Sequence, residues 1–228
     1  MRGLGAGPTS DARAHLPDLD PLPAAPRRLP LMRDLFDRPL LPGLRSEEAF
    51  VTPDDERALI AAIDALALAP FQFQGWTGKR LTHSFGLHYD FERGALAPTA
   101  PMPDWLLPIR ARAEAFAGVA AGTFVQALLI RYDPGAGIGW HRDRPQFDHV
   151  VGVSLGAPAA MRFRRRAGER FERLTAPLPP RGIYHLHGEA RHDWEHSIAA
   201  MTETRWSITL RSLSERGRRM LGAAGGGA

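Results

Sequence analysis

Between Thr52 and Ala67 the apolar positions recur at helical spacing, with Leu59, Ile60, Ile63 and Leu66 falling on one face. The stretch "TPDDERALIAAIDALA" therefore predicts an amphipathic helix. Thr52 suits the N-cap and Pro53 the first helical position, while Asp54, Asp55 and Glu56 favour the positive helix end. A second helix is predicted from about Asp104 to Gly118, with Pro108 placed near its first turn. Beyond Gly118 the period shortens. "FVQALLIRY" runs into the turn "DPGAG", and "HVVGVSLG" alternates so that Val151, Val153 and Leu155 share a face. "AMRFRRR", "FERLTAPL", "GIYHLH", "EHSIAA" and "RWSITLRSL" follow at intervals typical of a sandwich or barrel. Two helices followed by many antiparallel strands predict an α+β, mainly β chain. The expected architecture is a jelly-roll core, a double-stranded β-helix, buttressed by N-terminal helices.

The ends carry no such pattern. Residues 1–45 are rich in Pro, Arg, Leu and Gly and read as a poorly ordered arm; residues 216–228 read as a flexible tail. One domain, 46–215, is left between them. With 44% hydrophobic residues the chain can bury a sizeable core. It has no cysteine, which excludes disulfides, thiolate metal sites and cysteine nucleophiles. No apolar run approaches the roughly 18 residues of a membrane span, and the N-terminus has no secretory pattern. A cytoplasmic protein with no membrane partner is expected, with a monomer favoured. The formal charge is +4, and Lys79 is the only lysine among 29 basic residues. An arginine-rich chain of this kind is compatible with a nucleic-acid partner.

Without cysteine, any metal must be held by imidazole and carboxylate. "GWHRD" places His141 and Asp143 two residues apart, so that an extended backbone points both to one side. A nitrogen and an oxygen donor converging there suit a divalent metal such as ferrous iron in a facial site. Two candidates could supply the third ligand. "YHLHG" offers His185 and His187 as a cupin-like pair, whereas His196 opens the following strand. "RWSITLR" then sets Arg205, Ser207, Thr209 and Arg211 on one strand face, opposite Trp206, Ile208 and Leu210. Two inward arginines are costly unless an anion meets them, and a small dicarboxylate beside the metal would do so.

The order HxD, His196, Arg205, Arg211 resembles the AlkB-like family of Fe(II)- and 2-oxoglutarate-dependent dioxygenases. The resemblance runs from "GWTGKRLTHSFGLHYD" through "LLIRYDPGAGIGWHRD" and "WEHSI" to "RWSITLR", most of residues 70–213. It implies an enzyme using Fe(II), 2-oxoglutarate and O2. His141, Asp143 and His196 would be the iron ligands; Tyr132, Arg205, Ser207 and Arg211 would hold 2-oxoglutarate. Ser207 and Ile130 stand where the family usually has asparagine. "GWTGKR" resembles the family's nucleotide-recognition lid, which makes Trp76 the base-stacking aromatic, with Arg80, His83 and Phe85 beside it. Pro145 occupies a position that is acidic in the bacterial repair enzyme. The implied reaction is oxidative demethylation of alkylated bases in single-stranded DNA or RNA, releasing succinate, CO2 and formaldehyde. Alternatives are hydroxylation or demethylation of a protein or small molecule and, without catalysis, a basic nucleic-acid-binding module.

Overall fold

The computed structural model describes residues 40–73, 76–90 and 94–225, with the side chains of residues 73, 76 and 223–225 left aside. Most of the predicted arm, residues 1–39, lies outside that range. Its last part does not behave as an arm. Leu41 is buried, and β1 (Leu44–Glu47) is already an edge strand of the main sheet.

Helix α1 (Pro53–Asp64) begins as its sequence predicts. The Thr52 side chain accepts from the Asp55 amide while the Asp55 side chain accepts from the Thr52 amide, a reciprocal cap. Four strands then follow where none was predicted: β2 (Ala69–Phe73), β3 (Trp76–Phe85), β4 (Leu87–Asp90) and β5 (Ala95–Pro98). Their alternation is masked because polar residues such as Arg80, Thr82 and Ser84 sit on one face. A 3-10 turn, Asp104–Leu106, leads into α2 (Leu107–Ala117). Pro108 falls in the first turn, and Gly118 ends the helix in the left-handed region at φ 70°.

The remaining strands are β6 (Phe124–Tyr132), β7 (Ile138–His141), β8 (Phe147–Gly156), β9 (Ala159–Ala167), β10 (Arg170–Leu178) and β11 (Ile183–Leu186). After the short α3 (Gly188–His192) come β12 (Glu195–Ile198) and β13 (Arg205–Leu213). They form a seven-stranded sheet in the order β1-β11-β8-β13-β6-β3-β2 and a four-stranded sheet in the order β10-β9-β12-β7. A separate hairpin pairs β4 with β5. Every strand pairing is antiparallel. Pro177 sits in β10, an edge strand that can spare an amide. This is the jelly-roll expected from the pattern.

The segment expected to be a flexible tail is instead α4 (Glu215–Gly225), entered through Ser214. The Ser214 hydroxyl accepts from the Gly217 amide and its carbonyl from Arg218, an N-cap that the glycine-rich end obscured.

The large sheet has a core on each face. On its outer side α1 and α2 bury Leu59, Ile63, Ile109 and Phe116 against Leu129, Val151, Val153, Ile208 and Leu210. On its inner side Ile130, Tyr132, Val150, Tyr184 and Leu186 meet Met161, Phe163 and Ile198 of the small sheet. Asp64 ties α1 down, accepting from Trp206 Nε1 at 2.8 Å and from Arg131 at 3.1 Å. The central strand β13 therefore turns Ile208 and Leu210 to the helices and its alternate residues inward. No helix among the described residues is long and apolar enough to cross a membrane.

Candidate active site

His141 is the last residue of β7, and Asp143 follows in the loop after it. The small sheet brings the third group to them: β12 pairs with β7 so that His196 is the direct cross-strand partner of His141. Gly137 permits that approach, since a Cβ there would sit 2.9 Å from the backbone of Ile198 and Ala199. The two rings lie 4.3 Å apart, and His196 Nε2 is 3.7 Å from Asp143 Oδ2. The His141 Nδ1 lies 2.9 Å from the Gly139 carbonyl; donating there leaves Nε2 as a free lone pair. Asp143 Oδ1 is turned to Arg211. Among the described residues no three such side chains already form a closed coordination set.

The charge states suit donor chemistry. Burial pushes the His196 imidazole down to about 3, with His141 adding to the effect, and burial also lowers His141. Both rings are neutral at neutral pH. Burial would raise Asp143, but Arg211, then His196 and Arg191, outweigh it and hold the carboxyl well below the usual range. Two neutral imidazoles and one ionised carboxylate are the donor set of a facial iron site.

Inward-facing residues of β13 supply the neighbouring anion pocket. Arg205 is 1% exposed; it donates to Ser154 Oγ at 2.9 Å and lies 5.4 Å from the Tyr132 ring. Its Nε and one terminal nitrogen are buried without a hydrogen-bond partner among the described residues. Two orphaned guanidinium donors in a core call for an anion. Ser207 is buried between Ile130 and Ser154 in register. Arg211 is committed differently, donating to Asp143 Oδ1 at 2.8 and 3.1 Å and to Gln126 at 3.2 Å.

The lid residues separate. Arg80 enters the site: burial lowers its pKa, and Tyr132, Arg211 and Asp143 are near enough to contribute. Its guanidinium lies 4.0 Å over the Phe71 ring. His83 and Phe85 do not join it. Alternation along β3 turns them to the opposite face, where Phe85 is buried in the helix-side core and His83 lies 4.6 Å from it. Trp76 opens β3, opposite Phe73. The rival pair also faces outward: His185 and His187 stack with His149, and His149 Nδ1 lies 2.9 Å from His185 Nε2. They do not converge with the HxD pair.

Sequence reasoning missed two residues. Tyr184 is buried on the inner face, its hydroxyl pushed up to about 12 chiefly by burial, near Arg205, Tyr132 and Asp143. Its ring fills the space over Gly152, where an added Cβ would approach within 2.2 Å. The alternation of "GIYHLH" already sets Tyr184 opposite the two histidines. Arg191 on α3 is 3% exposed and donates to the carbonyls of Arg144 and Phe147 at 2.6 and 2.7 Å, fixing the loop that follows Asp143. Nothing in its sequence surroundings marks it. Arg191→Ala should lower stability in urea titration by about 1–3 kcal/mol for each carbonyl left unpaired, and should weaken metal binding through the loosened loop.

Comparison with known proteins gives a consistent picture. The family model of the 2OG-Fe(II) oxygenase superfamily matches residues 70–220. A "tRNA (carboxymethyluridine(34)-5-O)-methyltransferase alkbh8" of Xenopus tropicalis is 28% identical over 184 residues, covering 74% of this chain and 27% of that protein. An "Alkylated DNA repair protein ALKBH8 homolog" of Arabidopsis thaliana is 29% identical over 186 residues, covering 69% of this chain and 51% of its own length. The chain thus spans between about a quarter and half of the curated relatives it matches. Among solved structures, "The structure of OsALKBH1" aligns with a TM-score of 0.55 at 14% identity, covering 75% of this chain and 96% of that one. That likeness is one of fold.

Proposed function

Because this chain belongs to the 2OG-Fe(II) oxygenase superfamily, as an AlkB-like dioxygenase working with Fe(II), 2-oxoglutarate and O2, we propose that it oxidatively demethylates alkylated bases in single-stranded nucleic acid. His141, Asp143 and His196 are assigned as the iron ligands. When bound, the iron and 2-oxoglutarate supply the oxidising chemistry, and the keto acid leaves as succinate and CO2. Oxidation of an N-methyl carbon would release formaldehyde.

The protein's own groups have separable tasks. His141 and His196 offer neutral nitrogens, and Asp143 offers Oδ2, since Oδ1 is held by Arg211. Arg205 takes a 2-oxoglutarate carboxylate on its two unpartnered donors, beside Tyr132 and Ser207. Arg211 keeps Asp143 ionised and oriented. Arg80, at the rim of the same site, is assigned to the substrate.

The observation that carries the reading is a buried, anion-seeking Arg205 on the same inward face of β13 as Arg211, which holds Asp143 of the donor set. Support for a nucleic-acid substrate comes from the two ALKBH8-named relatives, from "GWTGKR" and from the arginine content. A succinate-release screen against methylated single-stranded DNA, methylated RNA and tRNA, and peptides tests it. Trp76→Ala should reduce turnover of a methylated oligonucleotide by about five- to a hundredfold, as loss of one base–aromatic stack costs roughly 1–3 kcal/mol. Succinate release without substrate should persist. Hydroxylation of a peptide but of no nucleic acid would replace this substrate assignment with a protein one.

A further inference from the structure

The small sheet has a second face, turned away from the iron donors. Alternation along β9 brings Arg162, Arg164 and Arg166 to it, while Met161 and Phe163 go inward to the core. Successive arginines are about 6–7 Å apart along the strand. Two aromatics stand among them. Trp140 of β7 lies beneath Arg162 and Arg164, at 5.3 and 4.5 Å. Phe171 of β10 lies beneath Arg164, Arg166 and Arg173, at 4.8, 5.8 and 5.4 Å. Each guanidinium is held over a ring, and Arg162, Arg166 and Arg173 keep further N–H groups for an outside acceptor beyond the Ser197 and Phe171 contacts of Arg162 and Arg173.

The charge on this face is unbalanced. The four strands contain two acids, Glu172 and Glu195. Glu172 stands across from Arg165 on the alternate positions, and Glu195 is engaged by Arg164 at 2.6 Å. Arg162 donates only to Ser197, and Arg162, Arg166 and Arg173 are exposed. Exposed, pre-oriented guanidinium edges match a row of phosphates, which accept two parallel N–H bonds each. Trp140 and His141 are neighbours in the chain on opposite sides of β7, the edge strand of the small sheet, so this face and the active site are separated by that single edge strand.

Resting on the nucleic-acid reading above, we infer that this outer face is an exosite for the sugar-phosphate backbone of a single-stranded substrate, which it grips beyond the base being oxidised. The test is fluorescence anisotropy with an unmethylated single-stranded oligonucleotide across a salt series. The triple variant Arg162→Gln, Arg166→Gln, Arg173→Gln spares Arg164 and its carboxylate partner. Its affinity should fall at least tenfold, and the slope of log K against log salt should shrink by about 2, as expected for three lost phosphate contacts on a single strand. Succinate release without substrate should be unchanged, and the corresponding triple lysine variant should keep most of the slope. Unchanged affinity and slope in the glutamine triple would overturn the exosite, as would equal competition by polyglutamate at matched charge. Turnover of methylated oligonucleotide with an unaltered KM in that triple would sink the exosite and leave the substrate reading standing. Salt-sensitive binding lost in the triple, in an enzyme that oxidises no nucleic acid, would do the reverse.

Discussion

Alanine at His141, Asp143 or His196, introduced singly, is expected to abolish iron-dependent conversion of 2-oxoglutarate, with the fold retained by circular dichroism. Groups that merely orient a metal ligand already cost 10–100-fold when removed, so loss of a ligand should exceed about 100-fold. Removal also takes away a partner of its neighbours: His196 and Asp143 are 3.7 Å apart, and Arg211 holds Asp143. Asp143→Ala leaves Gln126 as the hydrogen-bond partner of Arg211 among the described residues, beside the Phe147 ring, so its stability should be measured beside its activity. His185→Ala and His187→Ala are the controls. Both residues lie on the outer face of the large sheet and should keep iron binding by anaerobic calorimetry. Metal retained in His196→Ala but lost in the His185 and His187 variants would refute the ligand assignment.

The second large effect belongs to Arg205→Ala. Here a charge-assisted contact worth roughly 1.5–3 kcal/mol is removed from a bound carboxylate, raising the 2-oxoglutarate Kd by about ten- to 150-fold. Iron affinity should hardly change, because Arg205 touches Ser154 and Tyr132 and none of the metal donors. Arg211→Ala should differ in kind, weakening iron and cosubstrate together through Asp143. Calorimetry of each ligand in both variants separates the two. Equal 2-oxoglutarate affinity in wild type and Arg205→Ala would remove the anion pocket from consideration.

These two sites were legible in the chain for different reasons. HxD and "RWSITLR" carry their own geometry, since a strand period of two states which side chains share a face. His196 could be chosen over His185 only through its spacing to the arginines; the cross-strand register with His141 is a tertiary fact. Grouping Arg80, His83 and Phe85 by proximity in sequence ignored the same period that served well in β13. Arg191 acts through backbone carbonyls of a distant loop, and a carbonyl has no sequence signature. Strand β3 was hidden because Arg80, Thr82 and Ser84 make one of its faces polar, and Ser214 by the glycines that follow it.

Strand β13 has neighbours on both sides and two unlike faces, and that division bears on how the enzyme could be re-engineered. Residues 206, 208 and 210 belong to the helix-side packing, whereas 205, 207, 209 and 211 look into the inter-sheet space. A combinatorial library confined to the odd positions would sample new acid cosubstrates on an unchanged scaffold. One confined to the even positions would sample thermostability with the chemistry held constant. Variants from the two libraries should then combine nearly additively, because β13 presents them to separate cores.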